Sequence, residues 1–414
     1  MKILILSSSA GNGHNSTANK IKNMLLERDP SHQIEIVDVY KSFDSKLKSW
    51  TMSDGYLLAC NHFVKIYNHF FKKSENNDIT TKDSNSANSD TFSFLTGLLN
   101  KIYEYQPDLI ISTYIFCSVG LYNLKRHYSI PAKIFCMTLD YGISPYWESA
   151  NCVDKMFLTD EYMVKPFLDK GYTAEQLVVT GIPVGEQFSK EIDKNLAREE
   201  LKLDKTLPTV LVMKSGFFGI KDEILIKEFE RVKTPHQIVL INGRNKKAEK
   251  RLEKLIKKQK TIHKYVNLGF TNQVDLYMSA SDLILTKGGG LTLTECLNKN
   301  CPMLIIDNLP QQEIYNKKYM VEHNCAIDIN KKYKISHAIN DIANGKINLD
   351  ELKKSMKQIA KIGALEKIVE EAEKVGKADY SALELEPHKK RDVLKNVRAK
   401  RKETLKNQRK NNGR

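Results

Sequence analysis

Residues 283–316 read LILTKGGGLTLTECLNKNCPMLIIDNLPQQEIYN, and the order of residue types there decides the fold class. Leu283 to Thr286 is a short apolar run, as expected of a strand buried on both faces. It leads directly into Lys287-Gly288-Gly289-Gly290 and then a helical pattern. Pro302 to Ile306 is the next apolar run, closed by Asp307. Strand, glycine turn, helix and strand make the repeating unit of a doubly wound parallel sheet. Glycines at such a turn permit positive φ and let a ligand approach backbone N–H groups. The helix start adds unpaired donors and partial positive charge. Gly288, Gly289, Gly290, Leu291 and Thr292 are therefore a candidate diphosphate site that needs no metal. Glu295 has two readings. With Thr292 it forms a capping-box pattern, or its carboxylate accepts both hydroxyls of a ribose. Gln311, Gln312, Glu313 and Asn316 follow; such groups suit the hydroxyls of a sugar, or simply begin a polar helix.

The same grammar extends outward in both directions. Toward the N-terminus, strands are expected at Thr209–Met213, Gln237–Ile241 and Val266–Leu268, each ending in turn chemistry. A first series is expected at Lys2–Ser7, Gln33–Val39, Asp108–Thr113, Ala132–Leu139, Lys155–Thr159 and Leu177–Thr180. A charged helix and Leu207-Pro208 separate the two series. The expected organisation is an α/β chain of two Rossmann-like domains, at 1–200 and 205–345. C-terminal helices at 346–385, which either stay with the second domain or cross back to the first, and a basic tail at 388–414 follow.

The first domain carries Ser8-Ser9-Ala10-Gly11-Asn12-Gly13-His14 between a strand and a helix. An unperturbed imidazole titrates near pH 6.5, so His14 is a candidate general base beside two glycines that admit a ligand. A plain strand-to-helix turn is the alternative. Asp140, at the end of another strand, is the second candidate. It can orient His14, accept a proton itself or cap a following helix. Trp50, Tyr56, Phe63 and Tyr67 lie among lysines, as in a segment at a lipid headgroup boundary or in a buried helix pair. Residues 74–90 are polar and low in complexity, as in a mobile insert.

Composition narrows the field. The chain has 414 residues, 41% apolar and 28% charged, in the range of a globular protein and long enough for two domains. No run of about 18 apolar residues is present, and the N-terminus lacks the pattern of a signal peptide. The 7 cysteines include no C-x-x-C pair and fit a reducing, cytoplasmic setting as small buried hydrophobes. No metal ligand motif, Walker A or G-x-S-x-G occurs. The formal charge is +15, and residues 389–414 alone hold twelve Lys/Arg against two Asp/Glu. Such a tail either meets an anionic surface or is a solvated terminus.

GNGH at 11–14, GIPV at 181–184, LGF at 268–270, TKGGGLTLTE at 286–295 and PQQE at 310–313 together resemble the diacylglycerol glycosyltransferases. That family includes the processive diacylglycerol glucosyltransferases and the monogalactosyldiacylglycerol synthases, and is related to the peptidoglycan-precursor N-acetylglucosaminyltransferase. The resemblance implies a type B glycosyltransferase fold, with a UDP-sugar bound by the second domain and a lipid acceptor by the first. It implies that Phe270 flanks the uracil, the glycine loop holds the diphosphate, and Glu295 binds the ribose. Gln311, Gln312, Glu313 and Asn316 then face the hexose, and His14 is the base of an inverting displacement. Ser215 and Gly216 are expected on the donor side too, in a loop that is richer in glycine in many relatives; this chain reads VLVMKSGFFGI, with Lys214 and Ser215 replacing glycines. Gly11 and Gly13, with the aromatics of 50–67, fall on the acceptor side. The expected reaction moves glucose, or secondly galactose, to diacylglycerol at the inner face of the cell membrane. No cofactor and no specific nucleic acid are implied. Transfer of N-acetylglucosamine to a polyprenyl-linked acceptor is the nearest rival. A non-catalytic nucleotide-sugar or nucleic-acid-binding protein is the rival of another class.

Overall fold

The computed structural model describes residues 1–9, 12–43, 94–144, 146–147, 151–214, 219–307, 309–383, 388 and 393. Gly11, Ser215, Gly216, Trp50, Tyr56, Phe63, Tyr67, the 74–90 insert and most of the basic tail lie outside these residues.

The first sheet comprises β1 (Lys2–Ser7), β2 (Gln33–Asp38), β3 (Leu109–Ser112), β4 (Lys133–Met137), β5 (Lys155–Leu158) and β6 (Leu177–Val179). Its spatial order is β2-β1-β3-β4-β5-β6, and every pairing is parallel. Helices α1 (Asn12–Arg28), α2 (Val39–Phe43), α3 (Leu95–Tyr105), α4 (Ile115–Lys125) and α5 (Val164–Asp169) connect its strands. Because side chains alternate along a strand, each run feeds two cores. Ile3, Ile5, Leu109, Ile111, Phe135 and Met137 pack on the α1 side with Ile21 and Leu25. Leu4, Leu6, Ile110, Ile134 and Cys136 pack on the other side with Leu95, Leu98 and Phe167. The central strands β1, β3, β4 and β5 bury both faces, which explains why they read as continuous apolar runs, whereas the edge strands β2 and β6 are only partly buried.

The second sheet comprises β7 (Thr209–Met213), β8 (Gln237–Ile241), β9 (Lys264–Leu268), β10 (Leu283–Thr286), β11 (Met303–Ile305) and β12 (Ala326–Asp328). Its order is β12-β11-β10-β7-β8-β9, again parallel throughout. The strand β12 extends the sheet beyond the last one expected from sequence. Helices α6 (Lys194–Glu200), α7 (Asp222–Phe229), α8 (Lys246–Ile256), α9 (Val274–Ala280), α10 (Gly290–Asn298) and α11 (Gln311–Glu322) accompany it, followed by α12 (Ile335–Ala343), α13 (Leu349–Ile359) and α14 (Ala364–Glu373). In each sheet the order reverses beside the first strand, between β1 and β3 and between β7 and β10. Ligands of doubly wound sheets bind outside the carboxyl ends of strands at such reversals.

One boundary differs from expectation. Helix α6 was expected at the end of the first domain, but it packs on the second sheet. Arg198 donates from Nε to the Ala280 carbonyl at 2.9 Å and pairs with Asp282 at 2.7 Å. The chain leaves the first domain instead near Gly181, whose φ is +88°. It returns beside the same point: a methyl group at Gly181 would lie 2.5 Å from Cβ of Lys361. Helix α14 then lies on the first domain, with Ile368, Val369 and Ala372 in the core shared with α1 and Arg28 bonded to Glu373 at 2.9 Å.

Asp108 fastens the segment after α14. It accepts the N–H groups of Lys2 at 2.8 Å and Ala378 at 3.0 Å, and Lys377 Nζ lies at 3.1 Å. Burial alone would raise its carboxyl, but these donors hold it below the ordinary carboxylate value. A depressed carboxyl stabilises the fold above its ordinary value, and the contribution is lost as pH falls through the lowered one. Asp108→Ala should therefore cost about 1–3 kcal/mol at neutral pH. Urea midpoints should show the deficit at pH 7 and a smaller one near pH 3.

Candidate active site

The reversals of the two sheets meet across the domain boundary. His14 stands in the first turn of α1, just past β1. Its Nδ1 lies 2.6 Å from the Thr113 carbonyl at the end of β3. A carbonyl only accepts, so Nδ1 carries the proton and Nε2 keeps the lone pair. Burial lowers the imidazole pKa, opposed in part by the Thr113 bond, and this keeps the ring neutral near pH 7. The Tyr114 ring meets it edge-on, with centroids 4.8 Å apart. These features give His14 the tautomer and charge state of a general base.

Facing it is the start of α10. No side chain caps this end, and its first amides, from Gly290 to Thr292, are those an anion would meet. The three glycines have separate reasons. None has positive φ, contrary to the expectation from sequence. A methyl group at Gly288 would lie 2.2 Å from the Glu313 carbonyl oxygen, and one at Gly290 would lie 2.1 Å from that of Leu139. Both are therefore required by close packing. Only Gly289 faces open space, with nothing within 4 Å of such a methyl group. A methyl at Gly13 would lie 3.4 Å from Leu291 Cδ1, so the His14 turn adjoins the helix start.

Glu295 does not cap α10. The helix begins at Gly290 with Gly289 as its N-cap, which places Glu295 beyond the capping position and overturns the capping-box reading. Its carboxylate instead faces Lys20 of α1 at 3.7 Å. Burial raises the carboxyl to about 7, with Lys20 opposing the rise. A buried acid with one loose partner retains capacity for hydroxyl donors. Phe270, after β9, is 60% exposed, and the Arg244 guanidinium lies 5.2 Å from its ring centroid. It offers a flat apolar face at the edge of the second sheet.

The sugar-directed residues separate into two groups. Gln311 is 3% exposed, and its Oε1 has no partner among the described residues. Glu313 pairs through Oε1 with Lys287 at 2.6 Å, while its buried Oε2 has none among them. Leaving buried acceptors unmade is costly, so these two oxygens suit hydroxyl donors of a ligand. Gln312 is half-buried beside them. Asn316 is different and corrects the expectation that it faces the hexose. It is fully buried. Its Oδ1 accepts Tyr141 N–H at 2.6 Å, and its Nδ2 donates to Asp140 Oδ1 at 2.7 Å and to the Gly288 carbonyl at 2.8 Å. Its hydrogen-bonding groups are spent on joining the domains.

Asp140 consequently does not orient His14, because Thr113 holds that nitrogen. It sits against Asn316. Burial lifts its carboxyl to about 6, the Asn316 bond lowers it, nearby Glu313 raises it and Lys287 lowers it. Thr113, Lys20, Lys287 and Tyr141 are site residues that sequence reasoning did not single out. Gly13, Thr17 and Lys20 do share a helical face at i, i+4 and i+7, so Lys20 carried a legible signal. Tyr141 carried none: its hydroxyl lies 2.9 Å from Thr294 Oγ1, and its ring stacks on Tyr319 at 4.9 Å. Among the described residues, no cluster of three or more His, Cys, Asp or Glu could hold a metal ion.

Residues 14–184 match the family model of monogalactosyldiacylglycerol (MGDG) synthase, and residues 220–375 match the glycosyltransferase family 28 C-terminal domain. The chain is 26% identical over 362 residues to the processive diacylglycerol beta-glucosyltransferase of Staphylococcus haemolyticus, covering 86% of this chain and 88% of that one. It is 26% identical over 367 residues to the protein of the same name from Bacillus licheniformis, covering 86% and 90%. Among solved structures, Acinetobacter baumannii MurG superposes with a TM-score of 0.59 at 15% identity, over 90% of this chain and all 100% of that one. The fold is that of the type B glycosyltransferases.

Two outcomes test the packing. Gly290→Ala should destabilise the protein by about 1–3 kcal/mol, through the clash with Leu139. Gly289→Ala should stay within about 1 kcal/mol of the parent. Thermal melts compare them. The Glu295 carboxyl, raised above its ordinary value, binds its proton more tightly folded than unfolded. Its contribution to stability is therefore greatest below pH 4.5 and declines as pH rises toward about 7. Glu295→Gln should flatten that part of the curve of urea midpoint against pH.

Proposed function

We propose that this chain, which belongs to the diacylglycerol glycosyltransferase family, transfers glucose from UDP-glucose to the free hydroxyl of diacylglycerol with inversion at the anomeric carbon. The observation that carries the reading is the closeness of Gly13 to Leu291, where an added methyl group would lie 3.4 Å from Cδ1; it puts a neutral His14 beside an uncapped helix start. The long match to relatives named processive diacylglycerol beta-glucosyltransferase supports the acceptor and the sugar.

The donor occupies the second domain. Phe270 covers the uracil, Glu295 accepts the ribose hydroxyls and the amides of 290–292 take the diphosphate. Glu313 Oε2 and Gln311 Oε1 accept hexose hydroxyls, and Gln312 completes that side. His14 Nε2 removes the acceptor proton as the acceptor oxygen attacks C1 from the face opposite the diphosphate. The C1–O bond to UDP breaks, and UDP leaves with the electron pair. Its charge develops against the helix amides, where preorganised donors stabilise it without reorganisation. Inversion of an α-linked donor yields a β-glucoside.

In this reading the enzyme works at the cytoplasmic leaflet and is held peripherally. None of the described helices is long and apolar enough to cross a membrane. Binding to an anionic surface falls to the 50–73 segment and the basic tail.

The decisive assay offers diacylglycerol with UDP-glucose, UDP-galactose or UDP-N-acetylglucosamine and separates the lipid products. Glucosyldiacylglycerol is expected; product only from a polyprenyl-linked acceptor would overturn the proposal. His14→Ala should lower kcat by about 10²–10⁴ while UDP-glucose affinity changes less than a few-fold. The acid limb of the wild-type kcat/KM profile should fall below pH 6.5, because burial lowers the imidazole pKa.

A further inference from the structure

Beside His14 runs a strip of half-exposed aromatic rings that the donor reaction leaves unused. Tyr114 is the N-cap of α4, one residue past the Thr113 carbonyl that holds His14. Its ring lies 5.5 Å from Phe116, and Phe116 lies 5.1 Å from Tyr146, both edge-to-face. With the 4.8 Å contact of His14 and Tyr114, the rings form one continuous path from the base along the first domain. All three aromatics are half-buried. Ile115 and Ile143 pack beneath them at the edge of the core.

The chemistry of the path is one-sided. Residues 113–119 read TYIFCSV and residues 142–147 read GISPYW, with no acidic or basic side chain in either. The donor cleft carries Glu295, Lys287 and Glu313, with Lys20 reaching Glu295 from α1. The two uncharged stretches beside the base fit an acceptor whose hydroxyl adjoins an uncharged apolar body better than one whose phosphate must be neutralised. Edge-to-face contacts hold the rings in fixed orientation, so their faces and edges cost little entropy to use.

We propose that Tyr114, Phe116 and Tyr146 form the acceptor track, on which the glycerol backbone and proximal acyl chain of a diacylglycerol lie with the free hydroxyl at His14 Nε2. The proposal rests on the function inferred above and adds to it the surface that selects an uncharged lipid.

The test uses the full chain and dioctanoylglycerol. In Phe116→Ala/Tyr146→Ala, calorimetric binding of dioctanoylglycerol in the presence of UDP should weaken about ten-fold or more. Its KM should rise likewise, while the KM for UDP-glucose stays within about two-fold, a split that general loosening of the fold would not give. Phe116→Leu should recover most of the binding. Should the double variant fail to fold, Tyr146→Ser alone should still weaken acceptor binding several-fold. Unchanged acceptor binding and KM in folded variants overturn the track and leave the glucosyltransferase reading standing. Wild-type protein that binds dioctanoylglycerol but transfers no glucose overturns that reading, and the binding comparison still decides the track. Wild-type protein that does neither overturns both.

Discussion

A buried amide ties the two domains together, beside the Tyr141–Thr294 bond and the Lys20–Glu295 pair. Asn316 bonds at once to the Tyr141 backbone, the Asp140 carboxylate and the Gly288 carbonyl. Through Gly288 it fixes the glycine loop, and through Tyr141 it fixes the loop after β4. An unsatisfied amide at this depth would cost free energy comparable to the bonds it makes. The arrangement is therefore satisfied together or not at all. In the same arrangement the Leu139 carbonyl lies against Gly290, and the His14 turn adjoins the start of α10 at Leu291.

Much of the architecture was legible because buried parallel strands must be apolar runs closed by turns. The expected Lys2–Ser7, Thr209–Met213, Gln237–Ile241 and Leu283–Thr286 are strands with those bounds. The edge strand β12 was not legible: three residues pairing on one side carry no periodic signal. Helix α6 was misplaced because the break in composition at Leu207-Pro208 is local, whereas its allegiance is decided by Arg198 reaching Ala280 and Asp282. The site shows the same division. The residue types of Glu295, Gln311 and Glu313 announced their chemistry. The capping-box pattern at 292–295 failed because the N-cap is Gly289, three residues before Thr292. Asn316 has the chemistry of a sugar ligand and is spent on tertiary structure, a choice that spacing along the chain does not encode.

Charge in the cleft is arranged in loose opposition. Lys20 faces Glu295 and Lys287 faces Glu313, one pair across the domain boundary and one within the second domain. Buried pairs of this kind contribute little net stability. Each nevertheless keeps a carboxylate in the cleft with capacity to spare, as Glu313 Oε2, without a partner among the described residues, shows. Hydroxyls of a ligand can then donate to the carboxylates while its phosphate oxygens accept from the lysines.

The return of α14 to the first domain has a consequence for synthesis of the chain. Ile368, Val369 and Ala372 complete the core over α1, and Asp108 awaits the amide of Ala378. A ribosome delivers these residues after the whole second domain. The first domain emerges with its α1 face uncovered and stays so while the whole second domain is made and folded. The N-terminal half is thus finished by the C-terminal end. A nascent chain stalled before residue 364 would present an apolar face where the complete protein has a helix.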